Sequence, residues 1–244
     1  MDKNDRPASQ ITDDKDINTQ ITGTKEQPSE PEFVPIKPKG GKCYLFFKRL
    51  FDIISATLLL ILVSWIIAIC LLAKWLEDFA NPIYVSKRVG KNGKIIKFYK
   101  IRTMCPHADD LKQRLIDAGL NEADPPAFKM KDDPRITPVG KFLRKFSLDE
   151  LLQLLNVIGG SMSVVGPRPP VPSEVESYTE EQKQRLSVKG GLLCTWQIQK
   201  NRNSLSFDEW VKLDLEYIQN RSIGLDLKII FKGLFMVIFD HSGE

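Results

Sequence analysis

Hydrophobic and polar positions divide this chain into three stretches. Residues 1 to 40 scatter isolated apolar side chains among Asp, Lys, Thr, Gln and Pro. Such a stretch cannot bury enough apolar area to offset the entropy of ordering it, so a disordered polar tail is expected over 1–40. It lacks the apolar centre of a signal peptide. Residues 53–73, IISATLLLILVSWIIAICLLA, contain no charge. A helix needs about 20 apolar residues to match a bilayer core, so a membrane-embedded helix is expected within 41–80. From 81 to 244 the pattern is that of a folded, soluble-type domain.

Within that domain, residues 82–90 and 94–101 read as two short strands around the turn Lys91-Asn92-Gly93. Helices are expected over 109–120, over 142–157 with a break near Ser147, and over 207–220. The last apolar stretch, 225–239, is too short to span a bilayer comfortably. It fits a helix half buried in an interface or an ordinary buried helix equally well. The class is therefore α+β: a membrane-embedded helix, then a compact, mostly helical domain with a small β-hairpin and amphipathic interfacial helices.

Charge and cysteine usage narrow the setting. The formal net charge is +4, with charged residues at 27%. A mildly basic surface suits phosphates, but no nucleic-acid module is present and no nucleic acid is expected as partner. Lys37, Lys39, Lys42, Lys48 and Arg49 precede the apolar run; Lys74, Lys87, Arg88, Lys91, Lys94 and Lys97 follow it. Lys and Arg favour the cytoplasmic side of a membrane. With both flanks positive, a spanning helix and a re-entrant one stay equally open on charge alone. Cys43, Cys70, Cys105 and Cys194 form no CxxC pair, which argues against a zinc site or disulfide framework and for a reducing compartment. His107 and His241 are too isolated for a metal cluster.

The candidate chemistry lies in Arg144-Lys145-Phe146-Ser147-Leu148-Asp149-Glu150. Ser147 followed three residues later by Glu150 reads as a capping box, which alone would mean only a well-started helix. The same placement puts Asp149 and Glu150 where free N–H groups bind phosphate. The helix field would lower the pKa of Asp149 and keep it an ionised nucleophile, able to attack phosphorus. Glu150 could hold Mg2+ against phosphate oxygens. Further on, Arg168 sits between Pro167 and Pro169 on a stiff loop, where a guanidinium can grip phosphate bidentately. There is no Walker A motif and no GxGxxG after a strand.

Six blocks in order carry a family resemblance: Lys48 to Asp52, Lys100 to Met104, Asp133 to Thr137, Ser147 to Leu151, Gly166 to Pro169, and Leu213 to Ile218. From Lys48 onward the chain resembles the bacterial sugar transferases called monotopic polyprenyl-phosphate phosphoglycosyl transferases. The resemblance implies that Asp149 attacks the β-phosphate of a UDP-sugar, releases UMP, and holds the phosphosugar until undecaprenyl phosphate collects it. It implies Mg2+ on Glu150, and phosphate or nucleotide contacts from Arg144, Arg168, Lys100, Arg102 and Gln197. It also implies a membrane helix that enters and leaves on the cytoplasmic face of the bacterial inner membrane. The break would fall at Ser64-Trp65, where the family has Ser-Pro.

The chain departs from the family again at Gly190 to Cys194, before Thr195-Trp196-Gln197, and Asn201 to Asn203 look lengthened. Residues 121–135 and 170–175 look more like exopolysaccharide-initiating hexose transferases, so glucose or galactose is the first expectation for the sugar. A homodimer is left open. The competing reading is a non-catalytic membrane adaptor that keeps the fold and recruits glycosyltransferases.

Overall fold

The structure is a computed structural model that describes residues 36–120, 130, 132–199 and 204–239. Most of the expected polar tail, His241 and the 201–203 stretch lie outside these residues. Residues 36–40 of the tail are tied down. Ile36 N donates to Gln184 Oε1, and Lys39 N donates to Ile218 O at 3.0 Å.

The apolar run lies within one helix, α1, Lys42–Asp78. At about 1.5 Å per residue its 37 residues extend about 55 Å, well beyond a bilayer core. Ala56, Leu60, Val63, Ile67, Cys70 and Lys74 recur every three or four residues and form one stripe against the body. Ile54, Leu58, Ile61, Leu62 and Trp65 stay exposed on other faces. The expected break at Ser64-Trp65 is absent, and the helix runs through it. Trp65 keeps the backbone N–H that a Pro would lack. Ser64 Oγ donates to Ile61 O at 2.8 Å without opening the helix.

Both ends of α1 are fastened to the same body. Near the start, Arg49 donates to Val157 O at 2.6 Å and Ile158 O at 2.7 Å. Asp52 Oδ1 accepts from Ser163 Oγ at 3.0 Å and Val164 N at 2.9 Å. Near the end, fully buried Lys74 donates to Glu77 at 2.7 Å, Asp78 at 3.0 Å and Thr137 at 3.0 Å.

The hairpin follows: β1, Ile83–Val89, pairs antiparallel with β2, Ile95–Ile101, in register Ile83 to Ile101. Asn92 (φ 56°) and Gly93 (φ 76°) turn the chain in the left-handed region, which suits both residue types. Helices α2 (Ala108–Asp117), α3 (Pro138–Lys145) and α4 (Gln153–Ile158) come next. Thr137 caps α3, its hydroxyl accepting from Gly140 N at 3.1 Å. Strand β3 (Ser163–Val165) leads through α5 (Pro172–Glu176) and α6 (Glu180–Lys183) to β4 (Gly191–Leu193), which pairs parallel with β3.

Helix α7, Phe207–Asn220, has the bounds its pattern predicts. Asp214, from the Leu213–Ile218 block, is buried and accepts from Arg185 Nε at 2.8 Å, so it holds the core together. Helix α8, Ile223–Phe239, buries Ile229 and Met236 and exposes Phe231, Leu234 and Phe235. It is therefore not a fully buried helix: one apolar face packs on the body and another stays exposed.

Candidate active site

Four separate pieces of chain bring the site together: β2, the end of α3, the turn before α4, and the loop after β3. Helix α3 ends at Lys145, and Ser147 adopts φ 53°, ψ 23°. A left-handed serine costs about 1–3 kcal/mol, which the surrounding packing must offset. This geometry overturns the capping box: the Ser147 hydroxyl makes no cap bond. Ser147 O instead accepts from Glu150 N at 3.3 Å, closing a 3-10 turn over Leu148–Glu150. The freed Glu150 side chain reaches across to the cations.

Lys100 Nζ lies 2.9 Å from Glu150 Oε1 and 3.4 Å from Asp149 Oδ2. Arg168 Nη2 lies 3.1 Å from the same Glu150 oxygen. Asn156 holds this register. Its Oδ1 accepts from Tyr99 N at 3.2 Å and its Nδ2 donates to Lys97 O, so α4 and β2 cannot slide apart. The Arg168 loop is pinned by β4: Gly166 N donates to Leu193 O at 3.1 Å, and Gly191 N to Pro167 O at 2.9 Å.

The two carboxylates differ in electrostatics. Asp149 is 7% exposed, and burial pushes its carboxyl above the ordinary range although Lys100 and Arg144 pull it down. This reverses the depression expected from the helix field, because the field of one 3-10 turn is outweighed by desolvation. Burial would also raise Glu150, but Arg168 and Lys100 outweigh it and hold its carboxyl at about 2. Two neighbouring acids pushed apart in this way can take different roles.

Residues 43–240 match the family described as bacterial sugar transferases. The chain belongs to that family. It is similar to the galactosyl transferase CpsE of Streptococcus agalactiae, 45% identical over 80% of this chain and 43% of the relative. It is also similar to the undecaprenyl-phosphate galactose phosphotransferase of Salmonella typhimurium, 40% identical over 79% of this chain and 40% of the relative. The exopolysaccharide production protein ExoY of Rhizobium meliloti is 39% identical over 84% of this chain and 91% of its own length. The chain thus spans less than half the length of the first two relatives, and nearly all of the third.

Not every sequence candidate reaches the pair Asp149 and Glu150, the dyad of this site. Arg144 stands close enough to act on Asp149, and its Nε donates to Thr103 Oγ1 at 3.0 Å. Arg102 is turned elsewhere: it grips Asp78 at 2.8 and 2.7 Å and donates to Asn81 O at 2.6 Å, locking the end of α1. Gln197 accepts from Cys194 N at 2.9 Å and closes its own turn.

The site also contains Arg88, which sequence reasoning passed over as a flanking charge. Its guanidinium lies over the Phe98 ring at 5.3 Å and donates to Pro169 O at 3.2 Å. Burial and the nearby Arg168 charge depress its pKa. The signal was available: in the hairpin register Arg88 and Lys100 share the face that carries Phe98.

The donor set suits Mg2+ in one respect. Glu150 Oε1 is taken by Lys100 and Arg168, but the described residues place no hydrogen bond on Oε2. No group of three metal-ligating side chains occurs among the described residues. Mg2+ commonly uses one or two carboxylates and completes its shell with substrate phosphates and water, so the free oxygen of Glu150 fits that role while Asp149 stays available as a nucleophile.

Because Lys100 faces both acids, its removal should register in their titration. Lys100→Met is expected to raise the Asp149 pKa further and to let the Glu150 pKa rise from about 2 toward its ordinary value, since a cation that favours both charged forms is lost. Carboxyl NMR titration of wild type and variant checks this. An unchanged Asp149 titration would contradict the placement of Lys100.

Proposed function

We propose that this sugar transferase moves a sugar 1-phosphate from a UDP-sugar, glucose or galactose first, to undecaprenyl phosphate. The observation that carries the reading is the buried Asp149 beside a Glu150 held ionised by Lys100 and Arg168. Asp149 attacks the β-phosphorus of the donor. The bond from that phosphorus to the bridging oxygen breaks, and UMP leaves with the electron pair. A phosphate oxygen of undecaprenyl phosphate then attacks the same phosphorus and releases the Asp149 carboxylate.

Each residue has a distinct task here. Burial makes Asp149 more basic than an ordinary aspartate, while Lys100 and Arg144 favour its charged form. Arg168 and Arg88 line the approach on the Pro167–Pro169 side, where charge on the phosphate oxygens grows. Mg2+, held by Glu150, would neutralise phosphate oxygens. The exposed apolar faces of α1 and α8 sit in lipid at the cytoplasmic face of the inner membrane, with both ends of α1 on the catalytic side. The lipid acceptor then reaches the dyad without leaving its leaflet, and its transfer initiates polysaccharide assembly.

The test is a screen of UDP-sugars with the purified chain in vesicles loaded with undecaprenyl phosphate, read by UMP. UMP is expected from UDP-glucose or UDP-galactose with Mg2+, and none after chelation. Tight UDP-sugar binding with no UMP from any donor would favour the adaptor reading instead.

A further inference from the structure

A second basic site lies at the start of α1, away from the dyad. It is a cavity of about 170 Å³ whose lining includes Lys48, Arg49, Lys91, Lys189 and Arg221, with Asp52 as the acid among them. Three of the five cations are already engaged. Lys48 pairs with Asp226 at 2.8 Å, Arg49 donates to two carbonyls of α4, and Arg221 donates to Lys39 O and lies over the Tyr44 ring. Asp52 is occupied by Ser163 and Val164.

Lys91 and Lys189 are different. Among the described residues neither ammonium has a hydrogen-bonding or ion-pairing side chain. Lys189 is partly buried; burial lowers its pKa, the Arg49 and Lys91 charges add to that, and Asp52 opposes it. Five cations face this cavity against the single acid Asp52, whose Oδ1 already accepts from Ser163 and Val164, so the field there favours an entering anion.

Size and surroundings identify the anion's class. The cavity is smaller than the roughly 300–1,000 Å³ of sites that enclose a drug-sized ligand, so a nucleotide sugar is too large for it. A phosphate with its adjoining atoms is not. Leu45 lines the cavity and is itself exposed, and Phe46, Phe47 and Leu50 continue the exposed apolar surface along the first turns of α1. A basic cavity bordered by exposed apolar side chains suits a molecule with an anionic head and a hydrocarbon tail.

We propose that this cavity binds the phosphate of an anionic membrane phospholipid, held chiefly by Lys91 and Lys189. The bound headgroup would sit beside Arg49, which caps the carbonyl end of α4, the helix that follows the dyad. A phospholipid there would steady α4 from its far end. The site does not depend on the transferase reading, because binding is measured without turnover.

The experiment uses the full chain in detergent, titrated with phosphatidylglycerol and followed by native mass spectrometry. One phosphatidylglycerol is expected to bind in preference to phosphatidylcholine. Lys91→Ser with Lys189→Ser should weaken it about thirtyfold, at about 1 kcal/mol per cation. Lys189→Arg, which keeps the charge, should retain it. Thermal unfolding in lipid-free detergent should be unchanged in both variants, which separates lost binding from lost fold. Equal phosphatidylglycerol binding by wild type and the double variant would overturn the proposal. So would displacement of the phospholipid by inorganic phosphate, or binding of undecaprenyl phosphate but not phosphatidylglycerol at this site.

Discussion

Replacing Asp149 with Asn is expected to lower UMP release by about 10⁴- to 10⁶-fold, the range seen when a covalent nucleophile is removed. Asn has nearly the same shape, so packing around the 3-10 turn survives. It also relieves the burial that raises the Asp149 carboxyl, at the cost of the 3.4 Å contact with Lys100. The variant should therefore fold and still bind UDP-sugar. Glu150→Gln should instead loosen Lys100 and Arg168, which share its Oε1. Its loss should depend on Mg2+ concentration, whereas the loss in Asp149→Asn should not. The decisive readout is mass spectrometry of denatured protein after brief exposure to donor without acceptor. A phosphosugar adduct on the wild-type peptide containing Asp149, absent from the variant, is the expected result. An Asp149→Asn protein that keeps a few per cent of turnover would rule out a covalent role for Asp149.

Much of the fold is legible in local pattern because its causes are local. The uncharged run makes α1, Asn92-Gly93 makes the hairpin turn, and the 207–220 period makes α7. The break near Ser147 is also visible, but what it does is not. The Ser-x-x-Glu spacing suggests a cap, whereas a positive φ at Ser147 turns the hydroxyl away and frees Glu150 for Arg168.

The misses arise from contacts distant in sequence. The parallel pairing of β3 and β4 joins segments more than twenty residues apart, and three-residue strands carry no period of their own. Arg102 looks like a phosphate ligand until α1 brings Asp78 beside it. Lys74 looks like a flanking charge, yet it is fully buried between Glu77, Asp78 and Thr137. Asp149 shows the same limit in electrostatics: a helix start is visible in one dimension, but the desolvation that outweighs it comes only from packing.

The β3–β4 contact also supports a large stability effect. Gly191→Ala is expected to destabilise the chain by about 3 kcal/mol or more, the upper end for overpacking. An added Cβ would lie 2.1 Å from Gly166 N and 2.6 Å from Gly166 O. Both are backbone atoms, so no side chain can rotate aside. The strands must separate, and the bonds from Gly166 N to Leu193 O and from Gly191 N to Pro167 O are the first to go. For a chain of this size the midpoint of thermal unfolding should fall by about 6–12 °C. Gly224→Ala is the matched control: it lies in α8 with nothing within 4 Å of an added Cβ, and should be neutral or slightly stabilising. Pro167 carries the strand contact and Arg168 follows it directly, so the same substitution should pull the guanidinium from Glu150. The Glu150 carboxyl should then rise from about 2 toward its ordinary value. A Gly191→Ala protein that unfolds earlier but keeps the wild-type Glu150 titration would show that β4 braces the fold without positioning Arg168.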